Sequence, residues 1–118
     1  MKKLLLIEDD VLILKMVEFK LKKEGYEVHI AKDGKEGIEK IDELKPDIII
    51  SDIVMPYKSG IEIVHYTKQN YPDTPVIVLS ELGEEEKTVI EAFQLGAVDF
   101  VSKPFNPQEL VLRLKRFV

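Results

Sequence analysis

Leu4-Leu5-Leu6-Ile7-Glu8-Asp9-Asp10 is the stretch that decides the fold. Four apolar residues run without a polar break and stop abruptly at three acids. A short run with no alternation reads as a strand buried on both faces, as in a parallel sheet. It is too short for the core of a signal peptide, and far too short for a membrane span of about 20 apolar residues. Comparable runs recur at Ile48–Ile50, Val76–Leu79 and, more weakly, Phe100–Val101. Tyr26–Ile30 alternates instead, Val28 and Ile30 being broken by Glu27 and His29, which suits a less covered edge strand.

Between these runs the apolar residues change to helical spacing. Leu14, Val17 and Leu21 form one stripe and Ile38, Ile41 and Leu44 a second. Ile63, Val64 and Thr67 form a third, Val89, Ala92 and Phe93 a fourth, and Leu110, Leu114 and Phe117 a fifth. Gly25 and Gly96 stand just past two of these stripes, where a left-handed residue ends a helix. Asn106-Pro107-Gln108-Glu109 reads as a helix start: a cap, proline at the first helical position, and glutamate three residues after the cap. Strand and helix therefore alternate five times with short connections, as one domain over residues 1–118. The expected architecture is a flavodoxin-like doubly wound α/β fold. Five parallel strands in the order 2-1-3-4-5 are covered by five helices in a three-layer α/β/α arrangement.

Composition narrows the function. The 118 residues are 45% hydrophobic and 33% charged, with a net charge of -5. No basic excess is available for phosphate contacts, so direct nucleic-acid binding is not expected. The absence of cysteine excludes disulfides and thiolate metal sites. A cytoplasmic protein with no membrane association is expected.

In open α/β sheets the functional residues lie beyond the carboxyl ends of the strands. Strand one runs into Glu8-Asp9-Asp10, strand three ends in Ser51-Asp52, strand four delivers Ser80, and strand five runs out into Ser102-Lys103-Pro104. Singly each has a plain explanation: acids at a helix start, an aspartate opening a loop, a serine cap, a solvated lysine. Together, at four strand ends, they form chemical equipment. Crowded carboxylates share a proton or bind a cation, and oxygen-only ligands with open positions suit Mg²⁺. A carboxylate beside a metal, a lysine and a hydroxyl can form an aspartyl phosphate.

Over essentially its whole length the chain resembles the receiver domain of two-component response regulators. The resemblance is carried by Glu8-Asp9, by Asp52-Ile53-Val54-Met55-Pro56 with Gly60, by Ser80, and by Lys103-Pro104-Phe105. It implies that Asp52 accepts a phosphoryl group from a sensor histidine kinase or phosphotransfer protein. Asp9 would ligate Mg²⁺ directly, Glu8 through water, and Val54 through its backbone carbonyl. Lys103 would pair with Asp52 and then with the phosphate, and the Lys103–Pro104 bond would be cis. Ser80 and Phe100 would form the switch that reports phosphorylation to a downstream effector domain or protein. Such a domain is a self-phosphorylating acceptor with autophosphatase activity, not a turnover enzyme. The fourth helix, fifth strand and fifth helix would offer a homodimer face, with Glu86, Lys87, Asp99 and Arg113 as candidates for ion pairs across it. His29 and His65 read as surface residues.

Four positions bear on rate and readout. Glu81 stands where the family usually has a small residue and is expected to slow phosphorylation by small donors. Val54 and Leu82 offer no group to orient an attacking water, which implies a long-lived phosphorylated state. Phe100 lacks the hydroxyl of the tyrosine often found there, leaving a switch that works by packing. Two other functions fit worse. A haloacid-dehalogenase-type phosphatase would want an acid at position 54, and a flavodoxin would not place three acids at its phosphate loop. A phosphorylation-independent binding module on a degenerate receiver is the remaining alternative.

Overall fold

The computed structural model describes residues 1–54, 59–81 and 86–118. Met55, Pro56, Leu82, Glu84 and Glu85 lie outside the described residues. Among the described residues the order is β1 (Lys3–Ile7), α1 (Val11–Lys23), β2 (Glu27–Ala31), α2 (Gly34–Leu44), β3 (Ile48–Asp52), α3 (Gly60–Asn70), β4 (Val76–Glu81), α4 (Glu86–Leu95), β5 (Asp99–Lys103) and α5 (Pro107–Leu114). All strand pairs are parallel and the sheet order is β2-β1-β3-β4-β5, the doubly wound arrangement expected.

The uninterrupted apolar runs are explained by the two cores they serve. Leu4, Leu6, Ile48, Ile50, Ile77, Leu79 and Val101 point to one face, against Leu14, Val17 and Leu21 of α1 and Leu110, Val111 and Leu114 of α5. Their neighbours Leu5, Ile7, Ile49, Val76 and Val78 point to the other, against Ile41, Ile63, Val64 and Ala92 of α2, α3 and α4. Each fully buried Leu or Ile contributes about 1.5–3 kcal/mol over its exposed state. The edge strand β2 is only half-buried before Ala31, in keeping with its alternating sequence.

Helix starts are set by side chains that satisfy free amide groups. Asp10 accepts from the N–H groups of Leu12 and Ile13, Asp33 from Glu36, and Asn106 from Gln108. Gly25 and Gly96 take positive φ angles of 94° and 117° at the ends of α1 and α4, where a Cβ would be strained.

The structure departs from the sequence reading in places. Phe117 lies beyond α5 and is 38% exposed, while Val111 takes its place in the core. The turn after Leu114 tightens, Phe117 N–H bonding the Leu114 carbonyl, so the helical spacing no longer carries Phe117 inward. Phe93 is likewise 40% exposed, and Ala92 is the fully buried residue of α4. β4 runs on through Ser80 and Glu81, so both are strand residues.

Candidate functional site

Strand order brings the candidates together. β1 and β3 are neighbours with Ile7 opposite Ser51, so the residues that follow them emerge side by side. One carboxylate oxygen each of Glu8, Asp9 and Asp52 lies within 4.8 Å of the others. β5, two strands from β3, ends in Lys103, whose Nζ is 3.1 Å from Asp52 Oδ1 and 3.0 Å from Glu8 Oε2.

These groups are withdrawn from water to different degrees. Glu8 is fully buried, Asp52 is 5% exposed and Ser80 3%, while Asp9 is exposed. Glu8 Oε1 accepts from the backbone N–H groups of Asp9 and Asp10, both at 3.1 Å. Its Oε2 is paired in charge with Lys103 but has no hydrogen bond of good geometry, leaving a buried acceptor site open. Burial, reinforced by the Asp52 charge, raises the Glu8 pKa from 4.5 to about 7. Burial also pushes Asp52 up, against the opposing pull of Lys103. Burial would lower Lys103, but the Asp52 and Glu8 carboxylates outweigh it and raise its pKa.

The arrangement is overfilled with negative charge. Two buried carboxylates and a third at the surface face a single ammonium group among the described residues. An all-oxygen donor set with an unsatisfied buried oxygen fits a hard divalent cation, which the charge imbalance favours. Asp10, expected as part of the same acidic run, is separated from it: its side chain caps α1. The plain explanation holds for Asp10, while Glu8 and Asp9 converge on Asp52.

Further positions complete the surroundings. Val54 is 59% exposed at the end of the described segment after β3. Gly60 opens α3 against the end of β3, and a Cβ there would collide with the Asp52 carbonyl oxygen and Ile53 Cα. Ser80 Oγ donates to the Glu81 carbonyl at 3.4 Å, a long bond that leaves the hydroxyl loosely held. Phe100 is half-buried and meets Phe93 edge-on, with ring centres 5.9 Å apart. It lines a cavity of about 330 Å³ with Ser80, Ser102, Val89 and Ile90. The Lys103–Pro104 peptide bond is cis.

Sequence reasoning missed the tie between Lys103 and Glu8; it placed Ser102 at the end of strand five but not opposite Ser80, where the β4–β5 register sets it. No local signal marks either relation, because both depend on which strands lie side by side. Asp99 and Arg113, expected as candidates for pairing across a dimer, are paired within the chain at 2.8 and 2.9 Å. β5 and α5 bring them together directly, so neither needs a second molecule. His29 is half-buried on β2 and bonded to Glu27 at 2.7 Å; His65 is exposed.

The family model described as response regulator receiver domain matches residues 4–115. Among solved structures, the chain is similar to the chemotaxis response regulator CheY4 of Vibrio cholerae, with 37% identity and a TM-score of 0.92 over 100% of this chain and 99% of that one. It is similar to a response regulator receiver domain protein from Clostridium thermocellum, with 31% identity and a TM-score of 0.92 over 98% and 93% of the two chains. NtrX from Brucella abortus matches 98% of this chain with 26% of its own, at 29% identity and a TM-score of 0.91. There the likeness is confined to one part of a longer protein.

Proposed function

The chain belongs to the response regulator receiver domain family of phosphoacceptor switches, and from that premise we propose that Asp52 accepts a phosphoryl group from a phosphohistidine on a sensor kinase or phosphotransfer protein, in a Mg²⁺-dependent reaction in the cytoplasm. One observation carries the reading: a nearly buried Asp52 carboxylate lies 3.1 Å from Lys103 Nζ and among the oxygens of Glu8 and Asp9.

An Asp52 oxygen forms the new P–O bond while the P–N bond of the donor breaks, and the imidazole leaves with the electron pair. Glu8, Asp9, Asp52 and the Val54 carbonyl would hold Mg²⁺, which supplies positive charge to the phosphoryl oxygens when bound. Lys103, already beside Asp52, shifts to pair with a phosphoryl oxygen. Ser80 gives up its long bond to the Glu81 carbonyl and donates to another. Phe100 then moves into the cavity it lines, changing the surface of α4, β5 and α5, where Ile90, Phe93 and Leu112 are exposed for a downstream effector or a second copy. Val54 brings no polar side chain to position water, and the phosphorylated state is long-lived.

Intact-mass measurement after incubation with acetyl phosphate and Mg²⁺ tests this. Wild type gains one phosphoryl adduct and Asp52→Asn gains none. An unmodified wild type, even with a histidine kinase present, would sink the reading and favour a phosphorylation-independent binding module.

A further inference from the structure

Ser80 and Ser102 are register partners on the adjacent parallel strands β4 and β5. Paired strands run about 4.8 Å apart and partners share a face of the sheet, so the two hydroxyls stand side by side. Both line the cavity of about 330 Å³ beneath α4, which Phe100, two residues before Ser102, also lines. Ser80 is nearly buried and donates its long bond to the Glu81 carbonyl. Ser102 is half-buried, and its hydroxyl has no hydrogen-bond partner among the described residues.

A serine hydroxyl donates one hydrogen and accepts two. Once Ser80 turns its hydrogen to a phosphoryl oxygen, its own oxygen is left as an acceptor at the cavity wall. Of the other lining side chains, Val89, Ile90 and Phe100 carry no donor, and the carboxylates of Glu81 and Glu86 only accept. Ser102 is therefore the lining side chain that can donate to Ser80. The same bond meets a second need. As Phe100 enters the cavity it takes the Ser102 hydroxyl out of water, which is costly unless that hydroxyl is bonded.

Taking Asp52 as the phosphoacceptor, we propose that Ser102 is a positioning residue for Ser80. Its hydroxyl donates to Ser80 Oγ in the phosphorylated site and so aims the Ser80 hydrogen at a phosphoryl oxygen. The bond also ties the movement of Ser80 to the entry of Phe100.

The experiment measures the initial rate of phosphorylation by acetyl phosphate at saturating Mg²⁺. An Asp52 oxygen forms the new bond to phosphorus, and acetate leaves with the electron pair of the broken P–O bond. Wild type, Ser102→Ala, Ser102→Thr, Ser80→Ala and the double variant carrying both alanines are compared. Ser102→Ala is expected to be about fivefold slower, the worth of one hydrogen bond between neutral groups. Ser102→Thr keeps the hydroxyl and stays within about twofold of wild type. In the Ser80→Ala background, Ser102→Ala changes the rate less than about twofold, because no hydroxyl is left to aim. A serine that only filled space would slow both backgrounds alike. An unchanged rate in Ser102→Ala, an equal loss in both backgrounds, or a threonine that fails to restore the rate overturns the inference while leaving Asp52 as the acceptor. Wild type that gains no phosphoryl group overturns the phosphoacceptor reading, and this inference with it.

Discussion

Glu8 is fully buried and shares one lysine with Asp52. Its pKa in the native state, about 7, lies above the ordinary 4.5. The folded protein therefore holds this proton more tightly than the unfolded chain does. Stability is fully present below pH 4.5, declines as pH rises toward 7, and is level above that. The loss is on the order of 3 kcal/mol, and Asp52, raised by the same burial, adds in the same direction. Urea unfolding in EDTA across this range is expected to show that slope, and Glu8→Gln to flatten most of it. Equal slopes in the two proteins would assign the pH dependence to other groups. At this scale the sequence placed an acid after a strand but could not say that it would be buried, because burial depends on what β3 and β5 bring against it.

Individual elements show how two adjacent acids acquire different work. Asp10 accepts two amide hydrogens at the start of α1, whereas Asp9 turns its carboxylate toward Asp52. Asp10→Ala is therefore expected to cost about 1 kcal/mol of stability, read from the urea midpoint. It leaves the yield of the Asp52 phosphoryl adduct within a few-fold of wild type. Asp9→Asn should reverse that pattern, keeping the helix while reducing Mg²⁺-dependent adduct formation. A collapse of phosphorylation in Asp10→Ala would show that both acids belong to the site. Strands and helix starts were legible because each is governed by a few neighbouring residues. Phe117 was not, because the turn that ends α5 tightens at Leu114 and ends the periodicity that would have carried it inward.

The whole molecule decides how strongly a cation and the fold support each other. A Mg²⁺ ion bound only by the native arrangement stabilises it, by about 2.7 kcal/mol at a hundredfold excess over Kd. Saturating Mg²⁺ is expected to raise the urea midpoint of wild type at pH 8, less at pH 5, where protons compete for Glu8 with its pKa of about 7. The increase should be much smaller in Asp9→Asn; the same increase in both proteins would place the ion elsewhere. The sequence by itself determined the alternation of strands and helices, the double-faced burial of the inner strands, the half-covered β2 and the placement of Asp52, Ser80 and Lys103 at strand ends. Each of these follows from local periodicity or from residue type. Only the tertiary structure decided that Lys103 serves Glu8 as well as Asp52, that Asp10 leaves the acidic cluster, that Ser102 faces Ser80, and that Arg113 is neutralised by Asp99 within the chain. Those outcomes depend on which strand ends lie side by side and how the helices between them pack, distances that no short window of sequence contains.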